Sequence, residues 1–255
     1  MKTPLVKNIY VLLDKAAPFA TQLPYDNAGL LCGDENAKVS GITVCLDITP
    51  ETVDFAKQAG HNLIVSHHPV IFKPVSNVLD GSIPYLLIQN GISAICAHTN
   101  LDAAAGGVND RLCALLGIAN AQPFDNGEFQ GFPPVGRIGE VTDTDTYTFL
   151  EKVKNALHCD IRYFDSGKRI RRVAVCGGSG FDLAEAAKNA GADAFVTADI
   201  RHHEWLEAKE LDLTLIDAGH FCTEYPITKD LEEMLQTAFA VPVAICPQSP
   251  PYRIF

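Results

Sequence analysis

The chain has no run of about 18 apolar residues, the length a helix needs to cross a bilayer, so a membrane span is not expected. It has no CxxC pair among its eight cysteines. Cys45, Cys96 and Cys176 fall inside apolar runs and read as small core hydrophobes. Scattered cysteines without a secretory leader point to a reducing cytosol. The first residues hold only a short apolar patch, interrupted by Asp14 and Lys15, with no long hydrophobic region or small-residue cleavage site. An amphipathic helix from about Thr3-Pro4 fits better, with Leu5, Ile9, Leu12 and Leu13 on one face. Basic charge is also scarce. Twenty Lys and Arg stand against 31 Asp and Glu, a net charge of -11. That balance argues against a nucleic-acid surface, which must neutralise phosphates. The one dense basic patch, Lys168 to Arg172, reads as a solvated turn before a strand. No P-loop or dinucleotide fingerprint is present. Gly177-Gly178-Ser179-Gly180 reads as a tight turn, with a phosphate cradle as the alternative.

What is present is a repeat. Residues 42–68 align with 173–199 at a shift of 131 without a gap. Val44-Cys45 meets Val175-Cys176, Ala56-Lys57 meets Ala187-Lys188, Ala59-Gly60 meets Ala190-Gly191, and Val65 meets Val196. A second match follows each copy. Ile95-Cys-Ala-His98 leads to Asp102, and Ile216-Asp-Ala-Gly-His220 leads to Glu224. Both are a histidine and an acid four residues apart, just after an apolar run. Internal duplication at this length is a statement about architecture.

At 255 residues the chain suits one large domain or two lobes. Its 47% apolar and 20% charged residues are ordinary globular composition. Apolar runs at 42–46, 63–66 and 92–97 read as buried strands. They alternate with helices from the Thr49-Pro50 cap to Ala59, over 82–90, and over 106–116. The second copy repeats the order: strands at 173–176, 194–197 and 214–217, and helices at 182–190, 202–210 and 227–239. A last strand follows at 243–246, and a helix at 146–157 precedes the copy. Residues 119–140 are rich in glycine and proline and read as loop. The expectation is an α/β protein with parallel strands covered by helices. The first lobe takes residues 1–125 and the second 126–255, with C-terminal elements free to pack back on the first.

In open parallel sheets, active groups gather beyond the carboxyl ends of strands. His67 and His68 follow one expected strand, His98 and Asp102 another, and His220 and Glu224 a third. Imidazole with carboxylate suits Zn, Fe, Mn, Co or Ni. Five ligands, His67, His68, Asp102, His220 and Glu224, exceed the three of a mononuclear catalytic zinc and fit two ions. His98 has two readings, as a further ligand or as a group that orients or protonates a bound molecule. His202-His203 reads either as helix surface or as an acid or base lining the site. His203 and His98 are the candidate catalytic residues. Tyr25-Asp26-Asn27-Ala28-Gly29 reads as a turn after the first helix, with Asp26 and Asn27 as alternative polar neighbours of the metals.

Y-D-N-A-G-L at 25–30, S-H-H-P at 66–69, A-H-T-N-L-D at 97–102, V-C-G-G-S-G at 175–180, T-A-D at 197–199 and D-A-G-H-F-C-T-E at 217–224 together resemble one family. It is the GTP cyclohydrolase 1 type 2 homologues, also described as NGG-interacting-factor-three-like proteins. The likeness runs nearly end to end. It departs at Tyr25, where relatives often carry Trp, and at Ala198-Asp199, where many have Gly-Asp. Neither departure touches a ligand. The resemblance implies two similar, interlocked α/β/α lobes with the metal site in the cleft between them. It assigns two divalent ions per chain to His67, His68, Asp102, His220 and Glu224, and a cytoplasmic homohexamer built as a trimer of dimers. It also implies a metal-dependent hydrolase acting on a small molecule, GTP in the family's name, with opening of the guanine ring and release of formate. Lys73 and Arg111 lie near the ligand segments, where a triphosphate would need cations. The alternative is a metal-binding or partner-binding hexamer without catalysis.

Overall fold

A computed structural model describes residues 3–253. The chain forms two compact units. One holds the residues up to Ala104 together with Ile227–Ser249, and the other holds Ala105–Pro226 and the tail from Pro250.

In the first unit, α1 (Val6–Ala16) buries Val6, Ile9 and Leu13 on one face. β1 (Gly29–Cys32) and β2 (Ile42–Cys45) follow. The Thr49 hydroxyl then caps α2 (Pro50–Gln58), accepting from the Thr52 amide at 3.3 Å with Pro50 in the first turn. β3 (Leu63–Ser66), α3 (Ile83–Gln89), β4 (Ser93–Cys96) and the short α4 (Thr99–Ala103) complete the N-terminal run. Every residue of β2, β3 and β4 is buried. That is why they read as continuous apolar runs instead of alternating ones. Cys45, Ile64 and Ala94 present one face of this sheet to Val53 and Ala56 of α2 and Leu87 of α3.

The second unit begins with α5 (Val108–Leu115), β5 (Ala119–Phe124) and β6 (Gly136–Thr144). α6 (Thr146–Leu157) is capped by Asp145, whose carboxylate accepts from the Thr148 amide at 2.9 Å. Then come β7 (Arg162–Phe164), β8 (Ile170–Ser179), α7 (Ala184–Asn189), β9 (Ala194–Ala198), α8 (His202–Glu210), β10 (Thr214–Asp217) and α9 (His220–Glu224). Alternation along β8 serves two cores. Val173 and Val175 pack with α5 and α6, whereas Ala174 and Cys176 pack with α7 and α8. This unit is therefore an α/β/α sandwich. α10 (Ile227–Ala238) and β11 (Val243–Ile245) belong to the first unit, where β11 pairs in parallel with β2.

The strand orders are β1-β4-β3-β2-β11 and β5-β6-β8-β9-β10-β7. β2, β3 and β4 run parallel, with β1 antiparallel outside β4. β8, β9 and β10 run parallel, with β7 antiparallel outside β10. The sequence repeat reappears as register. Ile42 pairs with Leu63 and Val44 with Val65, while Val173 pairs with Ala194 and Val175 with Val196. The α/β class expected from the sequence is the one observed, with antiparallel strands added to the parallel ones in both sheets.

Two boundaries differ from expectation. The units divide at Ala104 and Ala105, not near residue 125. α5 and β5 lie in the second unit because Leu112, Cys113 and Leu116 fill its core and β5 pairs with β6. The stretch 119–140, read as loop, holds that antiparallel pair. Gly139 is not a turn signal there. A Cβ at this position would stand 2.4 Å from the Ala119 carbonyl, so glycine permits a close strand approach.

Candidate metal centre

In the first unit, parallel strands deliver histidines to one sheet end. β3 ends at Ser66 and hands over to His67 and His68, and β4 ends at Cys96, two residues before His98. His98 precedes α4, which places Asp102 one turn onward. The rings of His67, His68 and His98 have centroids 5.1, 5.2 and 5.7 Å apart. One nitrogen from each lies within 4.8 Å of the others, a group able to hold a metal ion. His67 Nε2 is 3.6 Å from Asp102 Oδ1, with the imidazole fully buried.

In the second unit, β10 ends at Asp217 and a left-handed Gly219, φ +78°, turns the chain into α9. His220 and Glu224 share one face of that helix, with Nε2 and Oε2 3.0 Å apart. The Glu224 side chain is 5% exposed.

The four rings are held in one manner. His67 Nδ1 lies 2.8 Å from the Ala97 carbonyl. His68 Nδ1 lies 2.7 Å from Asp47, His98 Nδ1 2.7 Å from Asp26, and His220 Nδ1 2.6 Å from Asp199. A carbonyl or ionised carboxylate only accepts. Each Nδ1 therefore carries a proton and donates it, so that when the ring is neutral its lone pair is on Nε2, where a metal could bind. At His220 that lone pair meets a carboxylate oxygen. Two lone pairs at this distance repel unless a cation, proton or metal, lies between them.

Space at the second-unit pair is set by Gly178 of β8, φ +64°. A Cβ there would stand 2.2 Å from Glu224 Oε1 and 3.1 Å from His220 Nε2. Three of the four amides of the glycine segment are already engaged within the chain, which disfavours a phosphate cradle. Gly177 N donates to Asn109 at 2.8 Å, Gly178 N to Thr223 at 3.0 Å, and Gly180 N to Thr197 at 3.0 Å.

Asp26 is the most constrained of the supporting acids. Burial alone would raise its pKa. The hydrogen bond and charge of His98, with two bonds from Thr99, outweigh burial and bring it down to about 2. Sequence reading gave Asp26 as a polar neighbour but missed Asp47 and named Asp199 only as part of a motif. Asp47 follows β2 and Asp199 follows β9, so the available signal was their place just beyond parallel strands.

His203 lies elsewhere. With Arg201, Glu204, Glu207, Asp182 and Glu185 it lines a recess of about 330 Å³ whose lining includes neither His220 nor Glu224. His202 sits at the exposed start of α8.

The sequence model of Duf34/NIF3 (NGG1p interacting factor 3) matches residues 4–251. A Clostridium acetobutylicum protein named GTP cyclohydrolase 1 type 2 homolog is 33% identical over 241 residues, 91% of this chain and 90% of that one. Among solved structures, a Staphylococcus aureus hypothetical protein is 30% identical with a TM-score of 0.90, each chain covered to 100%. Reduced HcgD from Methanocaldococcus jannaschii is 27% identical with a TM-score of 0.83, covering 95% of this chain and 97% of that one.

Proposed function

The chain belongs to the Duf34/NIF3 (NGG1p interacting factor 3) family, and from that premise we propose that it is a hydrolase working with two divalent metal ions. The observation that carries this reading is the common fixing of three imidazoles, His67, His68 and His220, through Nδ1, which turns Nε2 toward coordination. The ligands in this reading are His67, His68 and Asp102 in the first unit and His220 and Glu224 in the second. The donor set is nitrogen and oxygen without thiolate, which suits Zn, Fe, Mn, Co or Ni. When bound, such ions polarise a substrate and make water acidic enough to attack at neutral pH.

The protein's own groups supply the rest. Asp47 and Asp199 hold His68 and His220 in orientation, and the Ala97 carbonyl does so for His67. His98 is the proton carrier in this proposal. Asp26 fixes its Nδ1 and stabilises the charged ring, so the proton gained or lost is at Nε2, beside His67 and His68. His203, in its separate recess, is proposed only as an accessory proton carrier. The finer reading is cyclohydrolase chemistry on a guanine nucleotide, with ring opening and loss of formate. Its support is the name of the Clostridium acetobutylicum relative and the hydrolytic competence of a paired-metal donor set.

The test is metal-resolved. The purified protein is stripped, reloaded with each of Mn, Fe, Co, Ni or Zn, and assayed for formate release from GTP beside a panel of phosphoesters and amides. A Glu224→Gln variant accompanies it. Metal-dependent turnover lost in the variant supports the hydrolase. Two bound ions per chain without turnover on any substrate replace it with a metal-handling role. Assembly as a homohexamer belongs to the same proposal. Light scattering should then return six times the 27.6 kDa chain mass.

A further inference from the structure

The segment Tyr25-Asp26-Asn27 does more than hold His98. Asp26 Oδ1 accepts from His98 Nδ1 and from the Asn27 amide, both at 2.7 Å. Asn27 Nδ2 donates to the Ile71 carbonyl at 2.5 Å, which ties down the loop after His67-His68 one residue before Phe72. The Phe72 ring stands 6.1 Å from the His98 ring, nearly perpendicular at 87°. Tyr25 completes the row, 6.4 Å from Phe72 at 66°. One short segment thus fixes an imidazole and two aromatic rings, all within the first unit.

Both aromatic rings are largely open to solvent, Tyr25 at 55% and Phe72 at 41% exposure. An aromatic side chain left in water forfeits the burial that usually justifies it. Here the hydrogen bonds of Asp26 and Asn27 order the backbone that carries the rings. Rings ordered in advance offer contact area to a ligand at little entropic cost on binding. A second exposed pair, Tyr147 with Tyr163 at 6.3 Å, sits on α6 and β7, elements that carry none of the proposed ligands. Tyr25 and Phe72 instead adjoin the imidazole that acts as proton carrier in the hydrolase reading.

We propose that Tyr25 and Phe72 are substrate-binding residues that stack on a flat heteroaromatic ring and hold it beside His98. The inference rests on the hydrolase reading and narrows it to substrates carrying such a ring. The 66° between the two rings lets one meet the ligand face-on and the other edge-on, both favourable contacts between π systems. Stacking accepts any nucleobase, because each has a π face. Tyr25 and Phe72 therefore require a ring without selecting among bases.

The full chain, metal-free and Zn-loaded, is titrated calorimetrically with guanosine, adenosine and uridine, and with ribose as the ringless control. At least one nucleoside should bind and ribose should not. Phe72→Ala, Phe72→Leu and Tyr25→Ala should each weaken that binding by about tenfold, as loss of a stacking partner implies. Phe72→Tyr keeps the π face and should stay within about twofold of wild type. Melting temperature and metal affinity should not change in these variants, since both residues are exposed and outside the proposed ligand set. No nucleoside binding, or wild-type affinity in Phe72→Leu or Tyr25→Ala, overturns the proposal. So does a loss of assembly by light scattering in Phe72→Ala with nucleoside binding unaffected, which assigns the rings to contacts between copies of the chain. The hydrolase reading fails by a different result: nucleoside binding that depends on Phe72, with no turnover under any metal, removes the hydrolase and leaves the ring site standing.

Discussion

Asp26 and His98 are joined across a long stretch of chain by a 2.7 Å bond from Nδ1 to Oδ1, with the Asp26 side chain wholly buried. The partnership has a pH signature. The Asp26 pKa falls from 3.8 in a free chain to about 2 in the folded protein. A depressed carboxyl pKa contributes stability above the unfolded value, and that contribution fades as pH drops through about 4 toward 2. Asp26→Asn in the metal-free protein should therefore be less stable than wild type at pH 7, by roughly 2 kcal/mol. The gap should narrow by pH 3. Denaturant unfolding at both pH values measures it. A gap of the same size at both would show that the carboxylate charge is not what matters.

Gly178→Ala tests the space beside Glu224. The substitution brings a Cβ to 2.2 Å from Oε1 at a backbone φ of +64°. Gly60→Ala is the control, since it shares a positive φ of +70° but has nothing within 4 Å of the added carbon. Both should lose about 1 kcal/mol of stability to backbone strain. Only Gly178→Ala should also weaken metal binding, by about tenfold or more, as one displaced ligand implies. Titration calorimetry on both variants separates the two effects. Equal metal affinity in both would remove Gly178 from the site.

The core gives a third expectation. Phe149 of α6 is 1% exposed and packs among Val173, Val175 and the apolar face of α5. Phe149→Ala should cost about 3–5 kcal/mol in unfolding free energy. The histidine cluster proposed to hold metal in the first unit contains none of these residues, so metal affinity there should be unchanged. Parallel thermal and metal titrations report both.

Much of this arrangement was legible because parallel strands buried on both faces write continuous apolar runs. The runs at Ile42 and Leu63 and at Val173 and Ala194 gave both the duplication and its register. The helix at Thr146–Leu157 was readable from Phe149, Val153 and Leu157 at helical spacing. What escaped was structure without an apolar signature. β5 and β6 were hidden because glycines that allow strands to approach look like loop punctuation. β7 was hidden because it is a three-residue edge strand, largely exposed. The histidines proposed as ligands stood out by residue type and position. The acids that hold them did not, because an aspartate after a strand is common and its partner is chosen only by the folded chain.

Asp199 is the sharpest case of such a hidden partner. It takes a left-handed φ of +56°, uncommon for a residue with a side chain, and its Oδ2 holds His220 Nδ1 at 2.6 Å. Asparagine tolerates that backbone and keeps an accepting oxygen, but it lacks the charge that makes the ring a better donor to a metal. Asp199→Asn should therefore weaken metal binding modestly. Asp199→Ala loses the oxygen as well and should weaken it about 10–100-fold. Protein stability should change little in Asp199→Asn, since Asp199 is exposed and asparagine tolerates its backbone, and should fall by about 1 kcal/mol or less in Asp199→Ala through the left-handed φ alone. Competition titration against a chromogenic chelator gives the affinities, and thermal melts of the metal-free variants give the stabilities. Wild-type metal affinity in Asp199→Asn, with a loss in Asp199→Ala only, would mean that the charge of Asp199 does not act on His220.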